Sequence, residues 1–329
     1  MKTFEYLEPK TVDEAVSILN KCGGKAKLIA GGTDVLVLMK QEVVTPQCLV
    51  NIKGIPGLDY INSDGGDGIK IGALTTLRAV ETSSVIKEKF GVLAQAAGRV
   101  AYLQIRNVGS IAGNICQESR CWYYDQSHDW HRSWTPCYKL GGKVCYVDKR
   151  DKGCLKRILQ SDLAPALIAL GARVKIVGGD GEKVIPVKDF FKKVGNILKT
   201  DEILTEAQIP NQPPNTVGVY SRYSVRKSID YPVVGVAVVM NLEEGWCRDI
   251  KIVSVAAASA PIEIDEVEAL FTGKKIDSEL IDKTVQVTKD KMATQAIKLG
   301  EHSADFKTNM AGVLVKRAIE ACLESVKSR

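Results

Sequence analysis

Lys27-Leu-Ile-Ala-Gly-Gly-Thr-Asp-Val-Leu-Val-Leu-Met39 is the stretch that decides the fold. Residues 27–30 are suited to a short strand, Gly31 and Gly32 to a turn, and 35–39 to a helix or second strand. A strand that passes through glycines into another element offers bare backbone N–H groups to a phosphate. A Cβ at either glycine would hold an anion off and would forbid a positive φ. A Gly-Gly turn between two strands has the same local pattern, so the stretch alone leaves both readings open.

Toward the N-terminus, Thr11 and Glu14 form a capping-box pattern, and Val12, Ala15, Val16 and Leu19 recur at helical spacing. Gly23 and Gly24 supply the stop. Toward the C-terminus, residues 49–73 read as short strands between turns at Gly54, Pro56-Gly57 and 64–68. Residues 85–101 read as one helix with Leu93, Ala96, Ala97 and Val100 on one face. A second loop of small and polar residues, Gln104-Ile-Arg-Asn-Val-Gly-Ser-Ile-Ala-Gly-Asn114, follows. Farther on come a short capped helix over 161–170, a strand over 173–177 and a hairpin turn at 178–181. Asn211-Gln-Pro-Pro-Asn215 is a linker. Strands over 218–223, 233–242 and 250–258 with helices over 263–271 and 313–326 make an α+β C-terminal region. There is no GxGxxG, no P-loop and no internal repeat.

One segment departs from average composition. Five of the nine cysteines, 116, 121, 137, 145 and 154, fall within 39 residues, together with Trp122, Trp130, Trp134, His128 and His131. From Cys116 to Arg157 there are nine Lys or Arg against five Asp or Glu, so most of the formal +6 sits here. The remaining cysteines, Cys22, Cys48, Cys247 and Cys322, read as small buried hydrophobes. In the segment, zinc would favour short paired spacings used twice. Only Cys116 and Cys121 are so spaced, with His128 and His131 available to complete a mixed site. A cubane accepts four thiolates from scattered positions. Both metals stay open on spacing.

At 329 residues the chain can build two or three domains. The longest apolar run, 233–240, is too short for a bilayer, and residues 1–11 contain no signal-peptide core. A cytoplasmic, membrane-free protein is expected. In that compartment cysteines serve more often as metal ligands or free thiols than in disulfides. No basic stripe with interleaved aromatics lies outside the Cys segment, so nucleic-acid binding is not expected. His302, in a polar stretch, reads as solvated. No nucleophile–base pair or hydrolase motif is present.

Five motifs, in this order, resemble the flavoprotein subunits of the xanthine dehydrogenase and carbon monoxide dehydrogenase family of molybdenum hydroxylases. They are Ile29-Ala-Gly-Gly-Thr-Asp34, Gln104-Ile-Arg-Asn with Ser110-Ile-Ala-Gly-Asn114, Ser161-Asp162 with Pro165, Asp201-Glu-Ile-Leu-Thr with Ile209-Pro210, and Arg226 with Asp230. The resemblance runs end to end. It implies an α+β fold, a two-part FAD-binding domain of the PCMH type over 1–55 and 56–214, and a smaller α+β C-terminal domain over 215–329. It also implies that Leu28, Ile29, Ala30, Gly31, Gly32, Thr33, Asp34, Val35, Ser110, Gly113 and Asn114 surround the FAD pyrophosphate and adjacent ribityl. Asp162, Leu204 and Arg222 would lie by the ribityl chain and isoalloxazine, with Val100 near the adenine or ring edge. No residue of the chain is expected to be catalytic.

Most members pass from the second loop to the Ser-Asp helix in a much shorter span, so residues 115–157 or so are an insertion. In this the chain is similar to the β-subunit branch of 4-hydroxybenzoyl-CoA reductase, whose extra loop carries a [4Fe–4S] cluster. That similarity implies Cys121, Cys137, Cys145 and Cys154 as ligands, with Cys116 left beside the phosphates. It further implies a molybdopterin-bearing large subunit and a [2Fe–2S] small subunit in a dimer of heterotrimers. Electrons would run from a ferredoxin-type donor through cluster and FAD toward reductive dehydroxylation of an aromatic acyl-CoA. An acidic donor is expected to dock near Lys149, Arg150, Lys152, Lys156 and Arg157. The alternatives are an FAD subunit of an oxidative molybdenum hydroxylase, acting on xanthine or another heteroaromatic, and a zinc-stapled scaffold. Glu263 departs from the family, which usually has a basic residue there.

Overall fold

The computed structural model describes residues 1–63, 68–155, 157–298 and 302–327. The expected turn over 64–68 and the donor-docking residue Lys156 therefore lie wholly or mostly outside the described residues.

The first unit is a small parallel sheet with helices. It comprises β1 (Glu5–Leu7), α1 (Val12–Cys22), β2 (Ala26–Ile29), α2 (Val35–Lys40) and β3 (Cys48–Asn51), with strand order β1-β3-β2. The Thr11 hydroxyl accepts from Glu14 N–H, and the Glu14 carboxylate accepts from Lys10 N–H, one residue earlier than a strict capping box. Gly23 ends α1 in the left-handed region at φ 56°. The apolar face Ala15, Val16 and Leu19 then packs on Val50, Ile52, Ile55 and Leu58. The run after the glycines is helical, with Leu38 and Met39 buried.

The second unit holds β4 (Ile61–Ser63), β5 (Ile69–Gly72), α3 (Leu77–Thr82), α4 (Ser84–Lys89), α5 (Gly91–Arg99), α6 (Leu103–Arg106) and α7 (Ile111–Ile115). After the Cys-rich segment, which contains α8 (His128–Arg132), come α9 (Leu163–Ala169), β6 (Arg173–Gly178), β7 (Gly181–Pro186), α10 (Val187–Phe190) and β8 (Ile203–Ile209). The sheet is antiparallel, in the order β4-β5-β8-β6-β7. The single helix expected over 85–101 is two. Phe90 leaves helical geometry (φ −135°, ψ 43°) and is buried, so the chain redirects to place both Phe90 and Leu93 in one core.

The third unit contains β9 (Thr216–Tyr223), β10 (Val234–Glu243), β11 (Trp246–Val255), β12 (Ile262–Glu263), α11 (Glu266–Phe271), β13 (Lys274–Lys275), α12 (Ser278–Ala293) and α13 (Ala304–Lys327). An antiparallel sheet β12-β11-β10-β9, with β13 on β11, is covered by α12 and α13. The strand expected over 250–258 stops at Val255, because Ala256 turns at φ 66°. The helix expected from 263 starts at Glu266, and the last helix starts at Ala304 rather than 313. Among the described residues no helix is long and apolar enough to cross a membrane.

Candidate functional site

A cavity of about 830 Å³ lies between the first two units and is also lined by Ile229, Asp230 and Tyr231 of the third. Its floor is made where the two glycine-bearing loops meet. A Cβ on Gly31 would stand 1.9 Å from the Val108 carbonyl oxygen, so only glycine lets the loops touch. Gly32 sits at φ 72°, and its missing Cβ would meet Leu36 Cδ1 at 2.9 Å and Ile29 Cδ1 at 3.3 Å. Its role is therefore backbone conformation and packing under α2. A side chain there would not simply stand between the loop and an anion.

The second loop is held equally firmly. Ile111 and Ala112 N–H donate to the carbonyls of Thr75 and Ala73, and the Ser110 hydroxyl accepts from Gly113 N–H at 3.1 Å. Asn114 Oδ1 accepts from the Ser161 hydroxyl at 2.7 Å and from Leu163 N–H at 3.4 Å. The Ser161 hydroxyl in turn accepts from Ala164 N–H, capping α9. Asn114 thus couples the loop before the Cys-rich segment to the helix after it, across 47 residues.

Asp162, beside that cap, is buried. Arg222 Nη1 donates to both of its oxygens at 3.0 and 3.1 Å, the Tyr220 hydroxyl donates at 2.6 Å, and Arg222 Nη2 reaches the Asp230 carbonyl. Burial pushes the Asp162 carboxyl up from its ordinary value, against the pull of Arg222 and of the Tyr220 hydroxyl. Burial likewise pushes the Tyr220 phenol well up, with Asp162 adding to it.

A second charged group joins the glycine loop to the Cys-rich segment. Arg120 pairs with Asp34, and its guanidinium lies 5.6 Å from the centre of the Tyr231 ring. Glu118 meets Lys27 at 3.0 Å and Arg157 at 3.5 Å. Burial would raise the Glu118 carboxyl, but Lys27, then Arg157 and Lys139, hold it down to about 2. Arg157 also lies over Tyr124, 4.9 Å from the ring centre.

Of the residues expected at the cofactor, the cavity wall contains Leu28, Ala30, Gly31, Gly32, Thr33, Asp34, Val35, Val100, Ser110, Gly113, Asn114, Asp162 and Leu204. Ile29 is buried beneath the loop, and Arg222 stands behind Asp162, off the wall. Lys27, Glu118, Arg157, Lys199 and Tyr231 line the cavity without having been singled out as cofactor neighbours. Arg157 is 4 % exposed, which removes it from the expected donor-docking set, whereas Lys149, Arg150 and Lys152 are exposed. His302 is not merely solvated, since its ring stacks on Phe306 at 5.3 Å.

In the Cys-rich segment, the backbone N–H of Cys121 donates to Asp125, and Cys137 bridges to Val144. Around them Trp130 stacks on Trp134 at 4.9 Å and Tyr123 on Tyr146 at 5.3 Å. Burial pushes the Cys154 thiol up, and Cys137 and Cys145 add to that, while Arg157 and Lys139 oppose it. Cys121 is raised by burial and, more weakly, by Asp125 and Cys154. Cys116 stands apart in the cavity wall, its thiol pushed up by burial alone to about 12. Among the described residues, no three His, Cys, Asp or Glu side chains converge closely enough to hold a metal ion.

Residues 2–212 match the family described as the FAD binding domain in molybdopterin dehydrogenase, and residues 220–322 match the CO dehydrogenase flavoprotein C-terminal domain. The chain is 26 % identical to the carbon monoxide dehydrogenase medium chain of Afipia carboxidovorans, over 99 % of each. It is 31 % identical to the aldehyde oxidoreductase FAD-binding subunit PaoB of Escherichia coli, over 73 % of this chain and 78 % of that one. A solved structure of carbon monoxide dehydrogenase from Hydrogenophaga pseudoflava superposes with a TM-score of 0.80 at 26 % identity, covering 98 % of both chains.

Proposed function

Because the chain belongs to the family of FAD-binding subunits of molybdenum hydroxylases, we propose that it is the electron-transfer subunit of a larger oxidoreductase. It would hold FAD in the cavity and a [4Fe–4S] cluster in the Cys-rich segment. The observation that carries this reading is the cavity built on the two glycine loops, with the four thiols on the chain that leaves the second loop. Its volume falls in the range of pockets that enclose most of a cofactor.

The kinds of donor present support both groups in this reading. Gly31 to Thr33 place backbone N–H groups at the cavity floor, where a pyrophosphate needs donors, while the N–H groups of Ile111 to Asn114 are already taken by Thr75, Ala73 and Ser110 and serve to hold the second loop in shape. Cys121, Cys137, Cys145 and Cys154 form a donor set of thiols alone. Zinc favours short paired spacings used twice, whereas a cubane takes four thiolates from scattered positions, and these four are scattered along the segment. When bound, the flavin accepts and releases electrons singly or in pairs, and the cluster exchanges them one at a time.

The chain's own residues then have definable tasks. Asn114 fixes the second loop against α9, so the floor and Asp162 keep one spacing. Arg222 and Tyr220 hold the Asp162 carboxylate in place at the wall. Arg120, the residue preceding Cys121, pairs with Asp34 and so links the glycine loop to the Cys-rich segment. The cations Lys139 and Arg157 near Cys154 favour additional negative charge at that place.

The partners proposed are a molybdopterin-bearing large subunit and a [2Fe–2S] small subunit in a dimer of heterotrimers, where the substrate chemistry lies. With the cluster in place, the preferred direction is inward. An acidic ferredoxin-type donor would supply electrons for reductive removal of a phenolic hydroxyl from an aromatic acyl-CoA. An oxidative hydroxylase is the second reading, favoured by relatives named as dehydrogenases. Incubating the assembled complex with reduced ferredoxin and 4-hydroxybenzoyl-CoA tests the preferred direction. Ferredoxin oxidation dependent on the thioester supports it, and electron release from a substrate to an artificial acceptor alone overturns it.

A further inference from the structure

Two cysteines expected to be inert hydrophobes are neither separate nor fully buried. Cys22 is the last residue of α1 and Cys48 the first of β3, and both are partly exposed. Cys22 Sγ donates a hydrogen bond to Cys48 Sγ at 2.7 Å, a separation well inside that of sulfurs in ordinary packing contact. A covalent disulfide requires about 2.05 Å, so a small side-chain adjustment suffices to join them.

The backbone holds the pair in place from both sides. Lys25 N–H donates to the Cys22 carbonyl, while the Lys25 carbonyl accepts from Gln47 N–H at 2.8 Å and Cys48 N–H at 3.3 Å. The left-handed Gly23 and Gly24 make the turn that brings the end of α1 back beside this strand. Cys48 lies opposite Ala26 of β2 and Glu5 of β1 in the sheet. The segment between the two sulfurs contains the whole of β2, the glycine loop and α2.

We propose that Cys22 and Cys48 are a dithiol–disulfide couple, oxidised by a small or protein disulfide, whose closure staples the loop-bearing segment 23–47. One of the two sulfurs, as thiolate, attacks one sulfur of the oxidant R–S–S–R and releases RS⁻, leaving a mixed disulfide. The other thiol then loses its proton to water and its sulfur displaces the second RS⁻. Two thiols of the chain are oxidised and one external disulfide is reduced, so electrons and atoms balance. The hydrogen bond with Cys48, burial and Glu5 push the Cys22 thiol up to about 11, so the exchange is faster at higher pH, where more thiolate is present. Closing the segment removes chain entropy from the unfolded state, so the oxidised form is the more stable one.

The inference is independent of the flavin and of the Cys-rich segment. The full chain, purified under reducing anaerobic conditions, is treated with glutathione disulfide, alkylated and mapped by peptide mass spectrometry. A single linked peptide joining Cys22 to Cys48 is expected. It should disappear with dithiothreitol and be absent in Cys48→Ala, and the thermal midpoint should rise by several degrees in wild type but not in the variant. Separate glutathione adducts on the two cysteines, or a linked peptide with no shift in midpoint, would overturn the proposal.

Discussion

Arg222→Met removes one partner of a buried ion pair and leaves the other in place. Both side chains are 4 % exposed, so solvent screening does not dilute the interaction as it does at a surface. Truncating one member of such a pair costs about 3–5 kcal/mol, a large share of the roughly 5–15 kcal/mol that holds a domain folded. The loss should depend on pH in a definite direction. Burial already pushes the Asp162 carboxyl up, and Arg222 is the main group opposing it. Without Arg222 the folded-state value rises further above the unfolded value of about 3.9. A carboxyl raised by folding binds its proton more tightly in the folded chain, so stability falls as pH rises from the unfolded value through the folded one. The variant's deficit should therefore be larger at pH 8 than at pH 5, because the raised Asp162 carboxyl takes up a proton more readily as the pH falls. Urea unfolding at both pH values, compared as midpoints, measures this. Adding Asp162→Asn to Arg222→Met should recover much of the loss at pH 8. A deficit that is equal at both pH values, or below about 1 kcal/mol at pH 8, would refute the claim that a buried charge is being left unpaired.

Gly32→Val places a β-branched residue at φ 72° and drives its Cβ into Leu36, so the loop must rearrange. The chain should fold yet purify without flavin, and full FAD occupancy in the folded variant removes this loop from the site. Serine at 121, 137, 145 or 154 should bring iron well below the wild-type content, whereas Cys116→Ser, in the cavity wall, should leave it unchanged; iron analysis decides. Lys149→Glu with Lys152→Glu, both exposed, should slow flavin reduction by a ferredoxin-type donor roughly tenfold at low salt and flatten its salt dependence. Reduction by a small uncharged reductant should be little affected, and unchanged donor kinetics would return these lysines to the role of solvating the loop.

Local chemistry was legible in the sequence, and long-range closure was not. The cap at Thr11, the stop at Gly23 and the bend at Gly32 each depend on a few neighbouring residues, so residue type alone reveals them. The break at Phe90 depends on which core that ring enters, which is settled by a sheet formed from residues far along the chain. Helix α12 escapes an apolar-periodicity reading because Thr284 and Thr288 occupy its buried face, the former satisfying its hydroxyl at the Leu280 carbonyl. In the site, the glycines and Asp162 carry recognisable patterns. Arg120 and Glu118 take their partners from residues 86 and 91 positions away, a pairing that no local spacing encodes. The Cys22–Cys48 contact joins a helix end to a strand start, and only the packing of the first unit shows it.

As proposed, one chain carries both a flavin and an iron–sulfur cluster. Measuring FAD, iron, acid-labile sulfide and zinc per chain after anaerobic purification, with a reductive titration followed by absorbance, tests it most directly. About one FAD and about four iron atoms with matching sulfide are expected per chain, with bleaching of both flavin and cluster bands on reduction. A chain that carries stoichiometric zinc without iron, or that holds iron but no flavin, would contradict it.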